Sequence, residues 1–363
     1  FVDSIISQTN HLKKNIKFEK DCSKRLEILT ALSLSGLVFK EYENNYDVAI
    51  KELEKLVKIY FDDDGFPLTR NPSDLIFFSK YLILCKECIK DAQRYIPDFL
   101  DTIINRNLIC LKNIITPNNN IPLFNGGTEE DLNKFNKFID DLDYKFKNKK
   151  KIIGGIHIFN IKNDAIFFDT GEPPKKSFSK SYQSGPLSFE YYLEGKKIIT
   201  NCGFGSNISS KAELLSRLTS AQSTLTINDT SVTKFERNRI VNKIFGNSIK
   251  NSFKISNIDF FENENHIKLV ASHNGYEKKF NCIHKREISM NKKTRNLVGC
   301  DGLIKKKNGK PLNYNIRFHL YPGLTPVITM SGNSVLIPLS KNKSLLFTIK
   351  GESIRLEKSI FLG

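Results

Sequence analysis

The sequence predicts a chain in two parts, a helical region followed by an antiparallel β-sandwich, and three observations carry that prediction. Up to about Ile115, apolar residues recur at the spacing of amphipathic helices. From about Lys151 they recur instead as short runs bounded by Gly, Asn and Pro. At 363 residues the chain is long enough to bury a core in each part.

Each element has a local reason. Arg25 to Leu32 and Ala49 to Val57 each place apolar side chains on one helical face. A third helix opens at Pro72-Ser73-Asp74, where Pro fits the first turn and the helix dipole favours Asp. Asp98 to Ile104 follows Pro97 in the same manner. Breaks fall at Asp62-Asp63-Asp64-Gly65 and Pro117-Asn118-Asn119-Asn120, which is turn chemistry. Successive helices with short links describe hairpins packed side by side over residues 1–128.

A connector is expected over residues 129–150. It holds an acidic helix start at Glu129-Glu130-Asp131 and a basic run from Lys145 to Lys151, read as a solvated linker. Strands are expected over residues 151–363, at Gly154–Phe159, Ala165–Asp169, Lys197–Thr200, Ser223–Ile227, Ile267–Val270 and Ser334–Ile337. Lys305-Lys306-Lys307 precedes Asn308-Gly309, a hairpin signal with a solvated turn.

Composition narrows the function classes. No apolar run reaches the roughly 18 residues that a membrane-spanning helix needs. The net charge of +17 favours a polyanionic partner, although enrichment in Lys, Asn and Ile along the whole chain also reflects compositional bias. No aromatic-basic signature of a nucleic-acid binder is present, so nucleic acid is not the expected partner. Seven cysteines scattered over the chain form no disulfide framework, and Cys85-Lys86-Glu87-Cys88 lies within a helical pattern without a second pair. Reduced, structural thiols are expected.

The most specific stretch runs from Tyr182 to Ser231. It opens Tyr182-Gln183-Ser184-Gly185-Pro186-Leu187-Ser188-Phe189, passes Asn201-Cys202-Gly203, and closes on Arg217-Leu218-Thr219-Ser220-Ala221-Gln222-Ser223-Thr224. This order resembles the heparinase II/III family of polysaccharide lyases. Asp64-Gly65 to Arg70-Asn71-Pro72 is similar to that family's loop between toroid helices, and Leu123-Phe124-Asn125-Gly126-Gly127 to its LFNGG turn. Asp169-Thr170-Gly171-Glu172-Pro173-Pro174, His273-Asn274-Gly275-Tyr276, His284-Lys285-Arg286 and Arg317-Phe318-His319 follow in family order. The resemblance implies a partial α/α-toroid, its last hairpins only, followed by a stacked antiparallel β-sandwich. It also implies a fragment of a longer protein.

For function, the resemblance implies cleavage of an acidic, uronate-containing polysaccharide by β-elimination, a reaction that needs no organic cofactor. A base removes the proton α to the uronate carboxylate, an acid protonates the leaving oxygen, and polar groups neutralise the carboxylate. The expected catalytic set is Tyr182, Gln183, Arg217 and Gln222. Arg70 and Asn125 from the helical loops, with His273 and Tyr276 from the sandwich, are the expected substrate contacts. Gln183 and Gln222 stand where the family has histidines, and an amide hydrogen-bonds without titrating. A zinc ion held by family members in this region would meet Gln183, Asn201 and Gln222, which are poor zinc ligands, so no metal is expected.

The bare residues admit plainer roles. Tyr191 and Tyr192 are adjacent on a strand, so at most one faces a cleft. The Ser272-His273-Asn274-Gly275 segment reads as a surface turn, His319 as a sheet-face histidine, and His284 with Arg286 as one polar strand face. A non-catalytic glycan-binding or scaffold protein of the cell envelope is the competing reading. Family habit points to the cell envelope or periplasm, and the free thiols leave the cytoplasm open.

Overall fold

A computed structural model describes residues 2–144, 148–236, 238, 240, 242, 246–305 and 312–363. Lys145, Phe146 and Lys147 of the basic run, and Lys306 to Gly309 of the expected hairpin, lie outside the described residues.

The helical part begins with α1 (Val2–Asn15), followed by α2 (Cys22–Val38), α3 (Glu43–Tyr60), α4 (Pro72–Asp91) and α5 (Asp98–Ile114). The Asp21 side chain caps α2 by accepting from Ser23 N and Lys24 N. Asn71 caps α4 through Ser73 N, with Pro72 in the first turn. One apolar core collects Leu26, Leu29, Leu53, Leu56, Leu75, Phe78, Leu82, Ile104 and Leu108 from α2 to α5. α1 buries only Thr9, so it carries little of the periodicity that reveals the others.

α6 (Asn133–Asp141) begins at Asn133 rather than at the acidic Glu129. Glu129 is engaged elsewhere: its carboxylate accepts from the Tyr321 hydroxyl at 3.1 Å and lies 3.5 Å from the buried Lys197 ammonium. That pairing anchors the chain to the sandwich ahead of the helix.

Among the described residues the β part forms four antiparallel sheets. The largest has the order β1 (Ile152–Ile153), β2 (Ile156–Ile161), β3 (Asp164–Asp169), β4 (Phe189–Leu193), β5 (Lys196–Thr200) and β12 (His319–Leu320). β6 (Leu225–Ile227) pairs with β11 (Tyr314–Ile316). The second large sheet orders β10 (Leu297–Lys305), β9 (Cys282–Asn291), β8 (His266–His273) and β7 (Ile255–Glu262). β13 (Val327–Ile328), β14 (Ser334–Ser340) and β15 (Lys343–Thr348) complete the chain.

Strand alternation sets the layers. Ile158, Phe167 and Tyr192 point from the six-stranded sheet into the helical core. Their neighbours Phe159, Ile166, Phe168 and Tyr191 point the other way, against Ile267, Leu269, Ile288 and Met290 of the four-stranded sheet. Tyr191 and Tyr192 thus serve two different cores, both buried. The result is helices on sheet on sheet, with the Tyr182–Ser231 stretch at the junction.

Candidate active-site wall at the helix–sandwich junction

The helical side of the junction is shaped by the loop before α4. Half-buried Asp74 accepts from Tyr60 Oη at 2.8 Å, Thr69 Oγ1 at 2.6 Å and Asn71 Nδ2 at 3.1 Å, which fixes the loop around Arg70. Burial pushes the Asp74 carboxyl up, opposed by those hydrogen bonds. Arg70 itself is left-handed at φ 61°, an uncommon state for a residue with a Cβ. Its guanidinium reaches across to the sandwich. It donates to Gly154 O at 2.9 Å, to Gly171 O at 3.2 Å and to Glu172 O at 3.3 Å, and it pairs with Asp169. An open groove of about 480 Å³ runs along this seam, bounded by Asp62, Asp64, Arg70, Glu172, Lys175 and Phe178. Arg70, expected as a substrate contact, is here a buried bolt between the two parts, with its charge matched by Asp169.

The second helical loop carries Asn125 at φ 54°. The following Gly126 packs against the sandwich so closely that a Cβ would lie 2.6 Å from the Ser181 Cβ, which explains a glycine there. Gly126 N–H donates to Gln183 Oε1 at 3.0 Å. Both N–H groups of the same carboxamide are used as well, on Gly203 O and Ser216 O at 2.8 Å each. Gln222 Nε2 converges on Ser216 O at 2.7 Å. Asn201 accepts from Ser223 N at 3.0 Å. Gln183 and Gln222 therefore form an amide clamp around the carbonyl that ends α7 (Ser210–Ser216), while Asn201 holds the backbone just after Gln222.

That donor set does not fit a zinc ion. Gln183 and Gln222 direct N–H groups, not lone pairs, at the Ser216 carbonyl, and an amide oxygen is a weak ligand in any case. Cys202 is buried beside them with its thiol pushed up to about 12 by burial, far from the thiolate that binds metals. Among the described residues no three His, Cys, Asp or Glu side chains gather as ligands.

The remaining expected site residues are all interior. Tyr182 packs with Leu225, Val232, Phe235 and Phe253, and burial, followed by nearby Asp169, pushes its hydroxyl well above the ordinary tyrosine range. Arg217 donates to Tyr182 O and Ser179 O at 2.8 Å each and lies 4.1 Å over the Phe235 ring. Burial brings its pKa down to about 10. Tyr276 places its hydroxyl 3.0 Å from Leu225 O. His273, read from the sequence as part of a surface turn, is the last residue of β8 and is fully buried against His284, because β8 runs three residues further than the apolar run Ile267–Val270 suggests. Gln183, Gln222, Asn201 and Asn125 come together at one place; His273 and Tyr276 lie behind the wall, not in front of it.

One group escaped sequence reasoning. Asp301 on β10 sits opposite Arg286 in the β9–β10 register and binds it through Oδ1 at 2.7 Å and Oδ2 at 3.1 Å. The period-two pairing of His284 and Arg286 marks a polar face, but only strand register identifies what it meets.

The comparisons agree with this architecture. The heparinase II/III-like, C-terminal family matches residues 153–363, more than half of the chain, and the chain belongs to that family. It is similar to "FtsZ-localized protein C" of Caulobacter vibrioides (strain NA1000 / CB15N), with 23% identity over 354 residues, covering 93% of this chain and 59% of that protein. Among solved structures, the heparan sulfate lyase HepC of Pedobacter heparinus superposes with a TM-score of 0.69 at 16% identity, covering 95% of this chain and 55% of that one. Heparinase III superposes with a TM-score of 0.72 at 15% identity, covering 94% and 56%. The helical-toroid and sandwich fold is thereby shared, and the chain spans little more than half the length of these proteins. No described helix is long and apolar enough to cross a membrane.

Proposed function

We propose that this chain is part of a polysaccharide lyase-like protein that acts on an acidic, uronate-containing polymer by β-elimination. The observation that carries the reading is a surplus of donors along the wall. Asn125 Nδ2 and Asn201 Nδ2 are buried N–H groups without a hydrogen-bond acceptor among the described residues. A uronate carboxylate is an acceptor-only group of the kind that answers such donors, and neutralising it is what makes the α-proton removable. The net charge of +17 supports attraction of a polyanion to the same surface. Family membership supports the reaction class.

In this reading the wall orients the substrate carboxylate, while the base that takes the α-proton and the acid that protonates the leaving oxygen are groups of the full-length protein outside this wall. Gln183 and Gln222 cannot titrate, and the Tyr182 hydroxyl is held protonated by burial. On this reading the protein meets its polymer in the cell envelope or periplasm, the compartment that family habit suggests. A second reading, a non-catalytic glycan binder or scaffold, is favoured by one observation: the Gln183 amide is fully engaged with backbone groups. The two readings separate when the full-length protein is incubated with a panel of uronate polymers and the ultraviolet absorbance of unsaturated product is followed. Product on one polymer is expected. Binding without absorbance on every polymer removes the enzyme and leaves the scaffold; neither binding nor product removes both.

A further inference from the structure

Behind the wall, four buried side chains form a single hydrogen-bonded chain whose proton positions can be deduced. Gly275 N–H donates to His273 Nδ1 at 3.1 Å, so that nitrogen is an acceptor and the neutral ring carries its proton on Nε2. His273 Nε2 lies 3.1 Å from His284 Nδ1, which must then accept. His284 in turn carries its proton on Nε2, facing Asp301 Oδ1 at 2.6 Å. Asp301 is gripped by Arg286, and Arg286 Nη1 donates to Leu187 O and Ser223 O at 2.8 Å each. Those two carbonyls belong to the two segments of the wall, one following Gln183 and one following Gln222.

We infer that His273 and His284 form a proton-sensitive latch that holds the Gln183–Gln222 wall in place through Asp301 and Arg286. From Gly275 to Asp301 the donors point one way, Arg286 donates to Asp301 from the other side, and neither ring has room for a second proton. A proton added to His273 sits on Nδ1, against Gly275 N–H; one added to His284 sits on Nδ1, against His273 Nε2–H. Either breaks the chain at its middle and puts a cation within the network that holds Arg286. Among the described residues, Asp301 on β10 and Arg286 on β9, the strand of His284 itself, are the charged groups beside the pair. Phe253 and Tyr276 enclose His273, with Ile255 opposite it in register, and none of these three is charged. Burial lowers both histidine pKa values, His273 well below the ordinary range. A base depressed in the folded state is neutral and latched above the unfolded value of about 6.5, and loses stability as pH falls below it. The latch acts on wall geometry and does not depend on the wall's ligand.

Hydrogen exchange of the full-length protein, corrected for the intrinsic pH dependence, tests it across residues 184–190 and 219–226. Exchange there is expected to rise about tenfold between about pH 8 and pH 5.5, more than in the helical part. The double variant His273→Gln/His284→Gln keeps a donor and an acceptor at each position without titrating, so its wall exchange becomes independent of pH. Should that variant not fold, histidine nitrogen NMR on the unmodified protein decides alone. Both rings as the Nε2–H tautomer and neutral at about pH 6 support the latch. An Nδ1–H tautomer at either ring, a charged ring at that pH, or wall exchange unchanged between the two pH values overturns it.

Discussion

Gln183 and Gln222 share one acceptor: their carboxamide nitrogens lie 2.8 and 2.7 Å from the Ser216 carbonyl oxygen. Two donors on one carbonyl, with Gly126 N–H on Gln183 Oε1, make a neutral joint between α7, the strand entry and the helical part. The polar atoms of this joint are buried, so each lost bond leaves a stranded group.

Gln183→Leu leaves Gly126 N–H without its acceptor and removes a donor from Gly203 O. The expected loss is about 2–3 kcal/mol in chemical unfolding. Gln183→Glu gives a sharper readout. A carboxylate facing the Gly203 and Ser216 carbonyls is raised in pKa, so the variant matches the parent below about pH 4.3 and loses stability relative to it as pH rises. A difference between the two proteins that stays constant with pH contradicts the clamp.

The parts that were legible in the sequence share a cause. Local signals wrote α2 to α5: apolar spacing, Pro72 and Pro97 at helix entries, Asp62–Gly65 at a turn. Strand alternation alone sent Tyr191 and Tyr192 to opposite faces. His273 reads as a surface turn because β8 runs on past its apolar run, and the surroundings of Arg70 come from distant segments. The Arg70 partner lies 99 residues away in sequence, and nothing near Arg70 announces Asp169. Likewise the Gly126 to Gln183 bond spans 57 residues, so the family pattern identifies the position but not the contact.

Arg70 and Asp169 form a buried ion pair across the seam, with side-chain exposures of 9% and 3%. Removing one member strands the other charge. Arg70→Met and Asp169→Asn are each expected to cost about 3–5 kcal/mol, and the double variant distinctly less than their sum. A double-mutant cycle by denaturant unfolding measures this. Additive losses would mean that the two charges stabilise the fold independently.

Gly171 is the counterpart of that pair. A Cβ there would fall 2.1 Å from Arg70 Nη2 and 2.2 Å from its Cζ. The guanidinium is tied to three carbonyls and a carboxylate, so it cannot swing aside cheaply. Gly171→Ala is expected to cost about 1–3 kcal/mol. Gly302→Ala on β10, where an added Cβ meets nothing within 4 Å, should change stability by no more than about 0.5 kcal/mol. Equal thermal shifts for the two would refute the account of the seam.

His157 on β2 gives the pH prediction. Its ring is buried, with Nδ1 2.9 Å from Thr170 Oγ1 and Nε2 without a hydrogen-bond partner among the described residues. Burial lowers its pKa to about 4. The folded state therefore takes up a proton less readily than the unfolded chain. Its contribution to stability is full above about pH 6.5, falls with decreasing pH, and levels near pH 4, a total of about 3 kcal/mol. His157→Asn keeps a side-chain nitrogen beside Thr170 without titrating. Urea unfolding of both proteins from pH 8 to pH 4 should show a shallower acid decline for the variant, by about one proton in slope. Parallel curves would place the His157 pKa at its unfolded value and contradict its burial as the cause.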